Sequence, residues 1–586
     1  MKNKALSWLL VGIVACVVLF FVVVGIMFSS IARLGGSAPI VSAGSYLYIP
    51  LSGRIPEYSS TPDLGPWLSR ATTVSDVLRS LDQAADDSRI AGAIVRPTGA
   101  AGFAELRELR EALAKFRSSG KPVYAHLEIS TDRDYYLASV ADTVVVSPLP
   151  SGGVTMLGLS VASTYLARTF DKVGIKFHVL HAGDSKGNYE SLARDSMSVP
   201  LRESLECLLD DMYRIYTDEI VKSRPSLPKE VLEHELMDGE RLLIGGPVAV
   251  EKGFADLTMD WGELREHLSR SGKLKLVHPA QYVKATGATS LSDRKIAVVF
   301  AGGEITYGQE DRTPFATNDE IRSSEMVTLL RSLRTNKDIK AVVLRVNSPG
   351  GSSLASEVIL QEVKRLKAEK PVVVSMGNVA ASGGYYISCS ANRIIAQPNT
   401  VTGSIGVVGV IPTAQELFRK IGARVEIIER GKWAQFFRLD QDLSPEKEAV
   451  ILDIMSDIYD EFKAQVVVGR SLSADEVEKA AQGRVWTGAQ ALDLKLVDEL
   501  GGLDLAIRRA KELAGLTDRT VSLEYFPRQK DIVSYVLRRV LSEMRSLRSG
   551  WLLSPEEREF REAVEYLERF ARQREFVQAI LPVELP

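Results

Sequence analysis

The hydrophobic pattern divides the chain into four stretches. Residues 5–32 carry no charged side chain and are dominated by Val, Leu, Ile and Phe. Such a run is long enough for a bilayer core of about 30 Å and longer than the roughly 7–15 apolar residues of a signal peptide. It predicts a transmembrane anchor within residues 1–33. The α-amino group, Lys2 and Lys4 precede the run and Arg33 follows it, which places the amino end in the cytoplasm and the rest of the chain outside; a leader cleaved near Ser30-Ile31-Ala32 is the alternative. Beyond a Gly/Ser/Pro linker at 35–44, short apolar runs (46–49, 90–96, 341–344, 373 onward) alternate with amphipathic helical patterns such as 103–116 and 354–367. Strands alternating with helices at this spacing predict an α/β architecture with much parallel pairing. From residue 521 the pattern changes, and 532–548 and 555–577 read as Arg- and Glu-rich amphipathic helices, a helical tail over 521–586.

The α/β part is written twice. IAGAIVR at 90–96 matches IKAVVLR at 339–345, Lys121-Pro122-Val123 matches Lys370-Pro371-Val372, and Tyr135-Tyr136 matches Tyr385-Tyr386. KVGIKFHVLHAG at 172–183 runs without gaps against KIGARVEIIERG at 420–431. One fold therefore occurs at 45–280 and again at 295–520, joined by a polar linker at 280–294.

Composition narrows the choices. The 586 residues exceed a single core. A net charge of −3 with 25% charged residues gives little support to a nucleic-acid role. All six histidines precede residue 279 and no HExxH occurs, so neither a metal nor a cofactor is expected. Cys16 lies in the apolar run, which leaves Cys207 and Cys389 as the one conceivable disulfide; buried free thiols are the expectation.

Chemistry concentrates in the second copy. Residues 373–409 read as a buried strand, a tight turn carrying Ser382, and a helix whose first turn holds Gly383, Gly384, Tyr385 and Tyr386. Upstream, the run 341–344 leads into a second glycine turn, Asn347-Ser348-Pro349-Gly350-Gly351. A serine at a helix N-terminus feels a positive dipole, and Gly-Gly brings backbone donors close to a developing oxyanion. This is an acyl-transfer pattern. Repeat alignment shows what each copy has lost: Ser382 stands opposite Asp132, and Gly383-Gly384 opposite Arg133-Asp134. The first copy's turn, Thr98-Gly99-Ala100-Ala101-Gly102, lacks Pro-Gly-Gly. Conversely, Lys186 in the first copy stands opposite Ala434.

NSPGG, ASGGYYIS and TGSIGVVG, combined with an upstream GDSKGNYES, resemble the bacterial signal peptide peptidase SppA family in its long, duplicated, membrane-anchored form, over nearly the whole chain up to about residue 520. The resemblance implies two tandem Clp protease/crotonase-like domains and a serine endopeptidase acting on signal peptides at the cytoplasmic membrane. It further implies a dyad drawn from the two halves, with Ser382 as nucleophile and Lys186 as general base. Ser404 would orient the lysine, opposite Met156 in the first copy, and the N–H groups of Gly350, Gly351 and Gly383 would hold the oxyanion. A ring-like homotetramer is implied as well. Ser388 and Ser390 read as packing or capping residues. A non-catalytic membrane scaffold and a crotonase-type acyl-CoA enzyme are the alternatives; the retained Ser382, Lys186, Ser404 and Gly-Gly turn weigh against the first, and an external location with little CoA and the serine between the oxyanion turns against the second.

Overall fold

The computed structural model describes residues 41–53, 55–59, 72–99, 101–239, 241–269, 273–286, 292–308 and 320–528, and the backbone of 577–580. The expected anchor and the helical patterns at 532–548 and 555–576 lie outside the described residues. Among the described residues no helix is long and apolar enough to cross a membrane.

Two parallel sheets share one strand order. In the first repeat it runs Leu276–Val277, Ser45–Ser52, Ile90–Thr98, Val123–Leu127, Thr143–Val146, Leu257–Thr258. In the second it runs Ser522–Phe526, Lys295–Gly302, Ile339–Ser348, Val372–Ala381, Arg393–Ala396, Glu499–Leu500. The central strands are apolar on both faces, Val342, Val343 and Leu344 all being buried, as expected of a parallel sheet covered on both sides. Helices Phe103–Ser118 and Ser353–Glu369 cover them where the amphipathic patterns predict. Each repeat adds a short mixed sheet. Ile129–Ser130, Gly153–Thr155 and Leu243–Gly245 form one; the end of Val372–Ala381 with Val401–Gly403 and Val485–Thr487 forms its counterpart.

The repeats are joined side by side. Strand Lys176–Ala182 of the first pairs antiparallel with Val407–Thr413 of the second through seven registers, from Ala182–Val407 to Lys176–Thr413. A buried ionic cluster reinforces the joint: the Arg345 guanidinium donates to Glu57 Oε1 at 2.9 Å and to Glu108 Oε2 at 2.7 Å. Burial, and then the Glu57 charge, push the neighbouring Glu105 carboxyl up to about 7.

Three expectations need correction. Helix Pro279–Thr286 occupies the start of the expected 280–294 linker, because Tyr282 and Val283 bury themselves and the Tyr282 hydroxyl donates to Asp87 Oδ2 at 2.8 Å. Strand Ser522–Phe526 falls where a helical tail was expected; its partner, Lys295–Gly302, offers a sheet edge, just as Leu276–Val277 closes the first repeat. Cys207 is a free, exposed thiol, since helix Val199–Ser223 turns Leu201, Leu205 and Leu208 inward instead; Cys389 is free and buried.

Candidate active site

Ser382 sits where the strand Val372–Ala381 breaks into the short helix Gly383–Tyr386. Its φ of +55° and ψ of −117° are unusual for a non-glycine residue. The strain is held by two backbone bonds, Ser382 N–H to Gly403 O and Tyr386 N–H to Ser382 O, both 2.8 Å. Gly384 makes the turn possible, because a Cβ there would lie 2.6 Å from Ser348 O. Strain of this kind costs about 1–3 kcal/mol and persists where the surroundings over-determine it. Here it holds a hydroxyl at the head of a helix.

Lys186 arrives from the other repeat of the same chain, on the loop after strand Lys176–Ala182. Its Nζ lies 2.6 Å from Ser382 Oγ, 2.8 Å from Ser404 O and 2.9 Å from Ser404 Oγ. All three side chains are fully buried. Burial holds the Lys186 ammonium well below the usual lysine range, with no offsetting carboxylate among the described residues. Nζ donates to all three oxygens; on losing a proton the amine keeps N–H groups for the two Ser404 oxygens and turns its lone pair to the Ser382 hydroxyl.

Ser404 also has positive φ, +51°. Its N–H donates to Arg484 O at 2.7 Å, and Gly483 N–H donates to Ile405 O at 2.8 Å. The same short segment grips the lysine loop: Ser185 N–H donates to Gln482 O at 2.8 Å, and Asp184 N–H to Gln482 Oε1 at 3.1 Å. Gly483, at φ +73°, lies against Lys186 so closely that a Cβ would stand 2.5 Å from the lysine N and Cβ. Residues 482–484 thus clamp both loops, a role that sequence reading missed. A Gln-Gly pair after a helical pattern reads only as a helix end; folding brings it to Lys186.

The glycine turn has its own constraints. Gly350 and Gly351 have φ of +108° and +150°, and a Cβ on Gly351 would meet Ile305 O at 2.1 Å. Strand Gly350–Ser352 lies against helix Gly383–Tyr386, and Gly350 N–H donates to Ser348 Oγ at 3.2 Å. Asn347 braces the approach by accepting the Val379 N–H at 3.1 Å and donating to Glu105 Oε1 at 3.2 Å. Ser388 is buried and its hydroxyl donates to Gly384 O at 2.7 Å, a packing role. Ser390 is buried beside it.

Among the described residues the first repeat has no counterpart of this constellation. The Asp132 carboxylate accepts the Leu157 and Gly158 N–H groups at 3.0 and 3.2 Å, and burial raises its pKa. Met156, opposite Ser404, places its sulfur 3.8 Å from the Tyr216 hydroxyl, and Ala434, opposite Lys186, is exposed.

A Clp-like α/β scaffold that seats a buried amine on a strained serine defines the class of serine hydrolases. Comparison with known proteins narrows the class. The chain belongs to Peptidase family S49, whose family model matches residues 115–275 and 364–517, and it is a serine protease. A Clp protease family model matches residues 315–402. The chain is 33% identical over 487 residues to the chloroplastic serine protease SPPA of Arabidopsis thaliana, covering 81% of this chain and 70% of that protein. It is 33% identical over 490 residues to Protease 4 of Salmonella typhi, covering 80% and 76% respectively. Against Protease 4 of Haemophilus influenzae the identity is 32% over 487 residues, covering 79% and 77%.

Proposed function

We propose that this protease is a membrane-anchored endopeptidase that degrades cleaved signal peptides through a Ser382–Lys186 dyad. The observation that carries the reading is the 2.6 Å approach of a fully buried lysine amine to the Ser382 hydroxyl. A lysine with the ordinary pKa of about 10.4 needs roughly 4.6 kcal/mol to supply its neutral form at pH 7. Burial lowers the Lys186 pKa and so reduces that cost before any substrate arrives. Lys186 takes the proton as Ser382 Oγ attacks the peptide carbonyl, returns it to the leaving amine, and then activates water to release the acyl group. Ser404 fixes the amine, and the Gly483 segment fixes Ser404. The N–H groups of Gly383 and of Gly350 or Gly351 receive the oxyanion, each such donor being worth about 3 kcal/mol of barrier. Gly350 exchanges its Ser348 partner for the oxyanion.

Residues 1–33 supply the anchor, with the repeats at 45–280 and 295–520 on the outer side of the cytoplasmic membrane, where apolar leftover peptides lie. Self-assembly closes the site. Within the chain, Lys176–Ala182 pairs with Val407–Thr413. The repeat counterparts of those strands, 424–430 and 159–165, are unpaired, and Val425 and Ile428 stand exposed. Head-to-tail addition of a second copy repeats the intrachain pairing between chains, and a closed ring gives each of these segments a partner. The resemblance to SppA favours a tetramer.

The test is cleavage of a synthetic signal peptide by the full chain in detergent, for the parent, Ser382→Ala and Lys186→Met. Loss of turnover in both variants, with melting and assembly retained, is expected. Full activity in Lys186→Met would overturn the base assignment, and an inactive, well-assembled parent the substrate.

A further inference from the structure

The two turns of the active site leave from one irregularity in the sheet. Strands Ile339–Ser348 and Val372–Ala381 pair in step from Val342–Val372 to Val346–Met376, and the next register is Ser348–Ala380. Gly377, Asn378 and Val379 therefore stand opposite Asn347 alone, a bulge of the kind that re-aims the residues after it. Three residues beyond Asn347 comes Gly350 of the glycine turn, and three beyond Val379 comes Ser382. The Asn347 side chain fills the bulge. Its Oδ1 accepts the Val379 N–H at 3.1 Å, and a Cβ on Gly377 would lie 2.9 Å from its Cγ. A backbone donor on Oδ1 fixes the amide, so Nδ2 is left to donate elsewhere.

Its acceptor comes from the first repeat. Glu105 stands in the first turn of helix Phe103–Ser118 and is buried. Glu105 Oε1 accepts the Asn347 Nδ2–H at 3.2 Å, and the Glu105 backbone N–H donates to Asn378 Oδ1 at 3.0 Å. One residue of the first repeat thus grips both sides of the bulge. The helix end comes so near that a Cβ on Gly102 would lie 2.2 Å from Asn378 Cγ. Three carboxyl groups crowd this joint around one guanidinium. Arg345, from the sheet, bonds Glu57 and Glu108. Among the described residues the Glu105 carboxyl has only the Asn347 amide and, at 3.4 Å, the Gly102 N–H. The charged groups that face it are Glu57 and Arg345, with Glu108 one turn along its own helix.

We infer that Glu105 is a positioning residue for the reaction: by holding Asn347 in the bulge, its carboxylate sets the Gly350 turn and Ser382 at the spacing that catalysis needs. The inference rests on the peptidase reading of Ser382 and Lys186. A bond from an amide to a carboxylate is charge-assisted and stronger than one to a neutral carboxyl. Protonation of Glu105 therefore loosens the plug, and burial together with the Glu57 charge brings that titration to about 7. Turnover then carries a pH limb that belongs to Glu105, beside that of Lys186.

The test is cleavage of an internally quenched apolar peptide by the full chain in detergent, from about pH 5.5 to about 9. The parent, Glu105→Gln, Asn347→Asp and the double variant are compared, with turnover expressed per folded, assembled molecule. Glutamine has the shape of the protonated acid. The kcat of Glu105→Gln is expected about tenfold below the parent at about pH 9 and close to it at about pH 5.5, with KM unchanged; the Lys186 limb is common to both enzymes and cancels in the ratio. Asn347→Asp keeps an acceptor for Val379 but sets two carboxylates face to face, and its kcat is expected to fall further, by about 10²-fold. In the double variant the new amide donates to the new carboxylate, the same bond with donor and acceptor exchanged, and most of that loss is expected to return. A ratio of parent to Glu105→Gln that is flat across pH, or a double variant no faster than Asn347→Asp, overturns this inference and leaves the peptidase reading standing. A well-assembled parent that does not cleave the peptide overturns both.

Discussion

The two repeats share a sheet order, a strand-to-helix turn and a pair of tyrosines behind it, yet they treat the same buried position in opposite ways. In the first, Asp132 is met by two backbone N–H groups, and Asp134 accepts the Gly99 N–H at 3.1 Å, using up a donor of the corresponding turn. In the second, the Ser382 hydroxyl meets an amine with no countercharge beside it, and the Gly350 N–H donates to the Ser348 hydroxyl. A buried carboxyl bound by backbone donors serves as a structural lock, whereas an amine buried without a countercharge beside a hydroxyl is poised to react. Duplication allowed one copy to be spent on stability and on supplying the lysine loop, while the other kept the strained turn.

The largest expected effect comes from removing the uncompensated amine. Lys186→Met is expected to abolish turnover and to change the pH dependence of stability. The folded-state pKa of Lys186 is depressed, so between that value and 10.5 the unfolded chain binds the extra proton. The parent therefore gains about 1.4 kcal/mol per pH unit over that window, and the variant lacks this slope. Asp132 has the opposite sign. Its folded pKa is raised, so its contribution falls as pH climbs from 3.8 to the folded value, and Asp132→Asn flattens that limb only. Melting curves across pH for the parent and both variants separate the two windows; equal curves for the parent and Lys186→Met would remove the basis for a neutral lysine.

Gly483→Ala comes next, with a kcat loss of about 10²-fold at little-changed KM, since displacing a reacting group by about 1 Å costs that much. The added Cβ meets the backbone of Lys186 and must move it. Asp132→Ala removes the lock of the first repeat. It orphans two N–H groups, expected to cost about 1–3 kcal/mol in melting free energy, while turnover per folded molecule stays at the parent value. A Gly483→Ala enzyme with parental kcat, or an Asp132→Ala enzyme that loses turnover without losing stability, would break the division of labour between repeats.

Much of this was legible in the chain before folding. Repeated apolar runs marked the parallel strands, and opposite losses at Asp132/Ser382 and Lys186/Ala434 pointed to a site assembled from both copies. What sequence hid was long-range. Gln482 and Gly483 acquire meaning only when strand Lys176–Ala182 crosses to Val407–Thr413 and lowers Lys186 onto them. Val577 read as the end of a helix because local charge spacing dominates its window, whereas the backbone there is recruited by two open strand edges. Ser522–Phe526 was missed for a similar reason, its identity being set by the vacant edge of Lys295–Gly302.

The smallest effect on the folded chain, and the sharpest test of the repeat symmetry, lies at Leu180 and Ile428. These are equivalent positions of the duplicated strand. Leu180 pairs with Gly409 and is 8% exposed, whereas Ile428 is 93% exposed and its segment, 424–430, forms no strand. Leu180→Asp is therefore expected to damage folding, and Ile428→Asp to leave melting within about 0.5 kcal/mol, as for an ordinary surface change, while sedimentation is expected to show the proposed assembly falling to monomers. Carrying the Gly409–Leu180 register from one repeat to the other places Val161 of one copy opposite Ile428 of the next. A Val161→Cys/Ile428→Cys chain, with the exposed Cys207 changed to serine, is expected to form covalent rings under oxidation, each chain joined to two neighbours. If the crosslinks instead stay within single chains, or Ile428→Asp leaves the assembly unchanged, the unpaired strand serves another contact and the symmetry argument stops at the chain boundary.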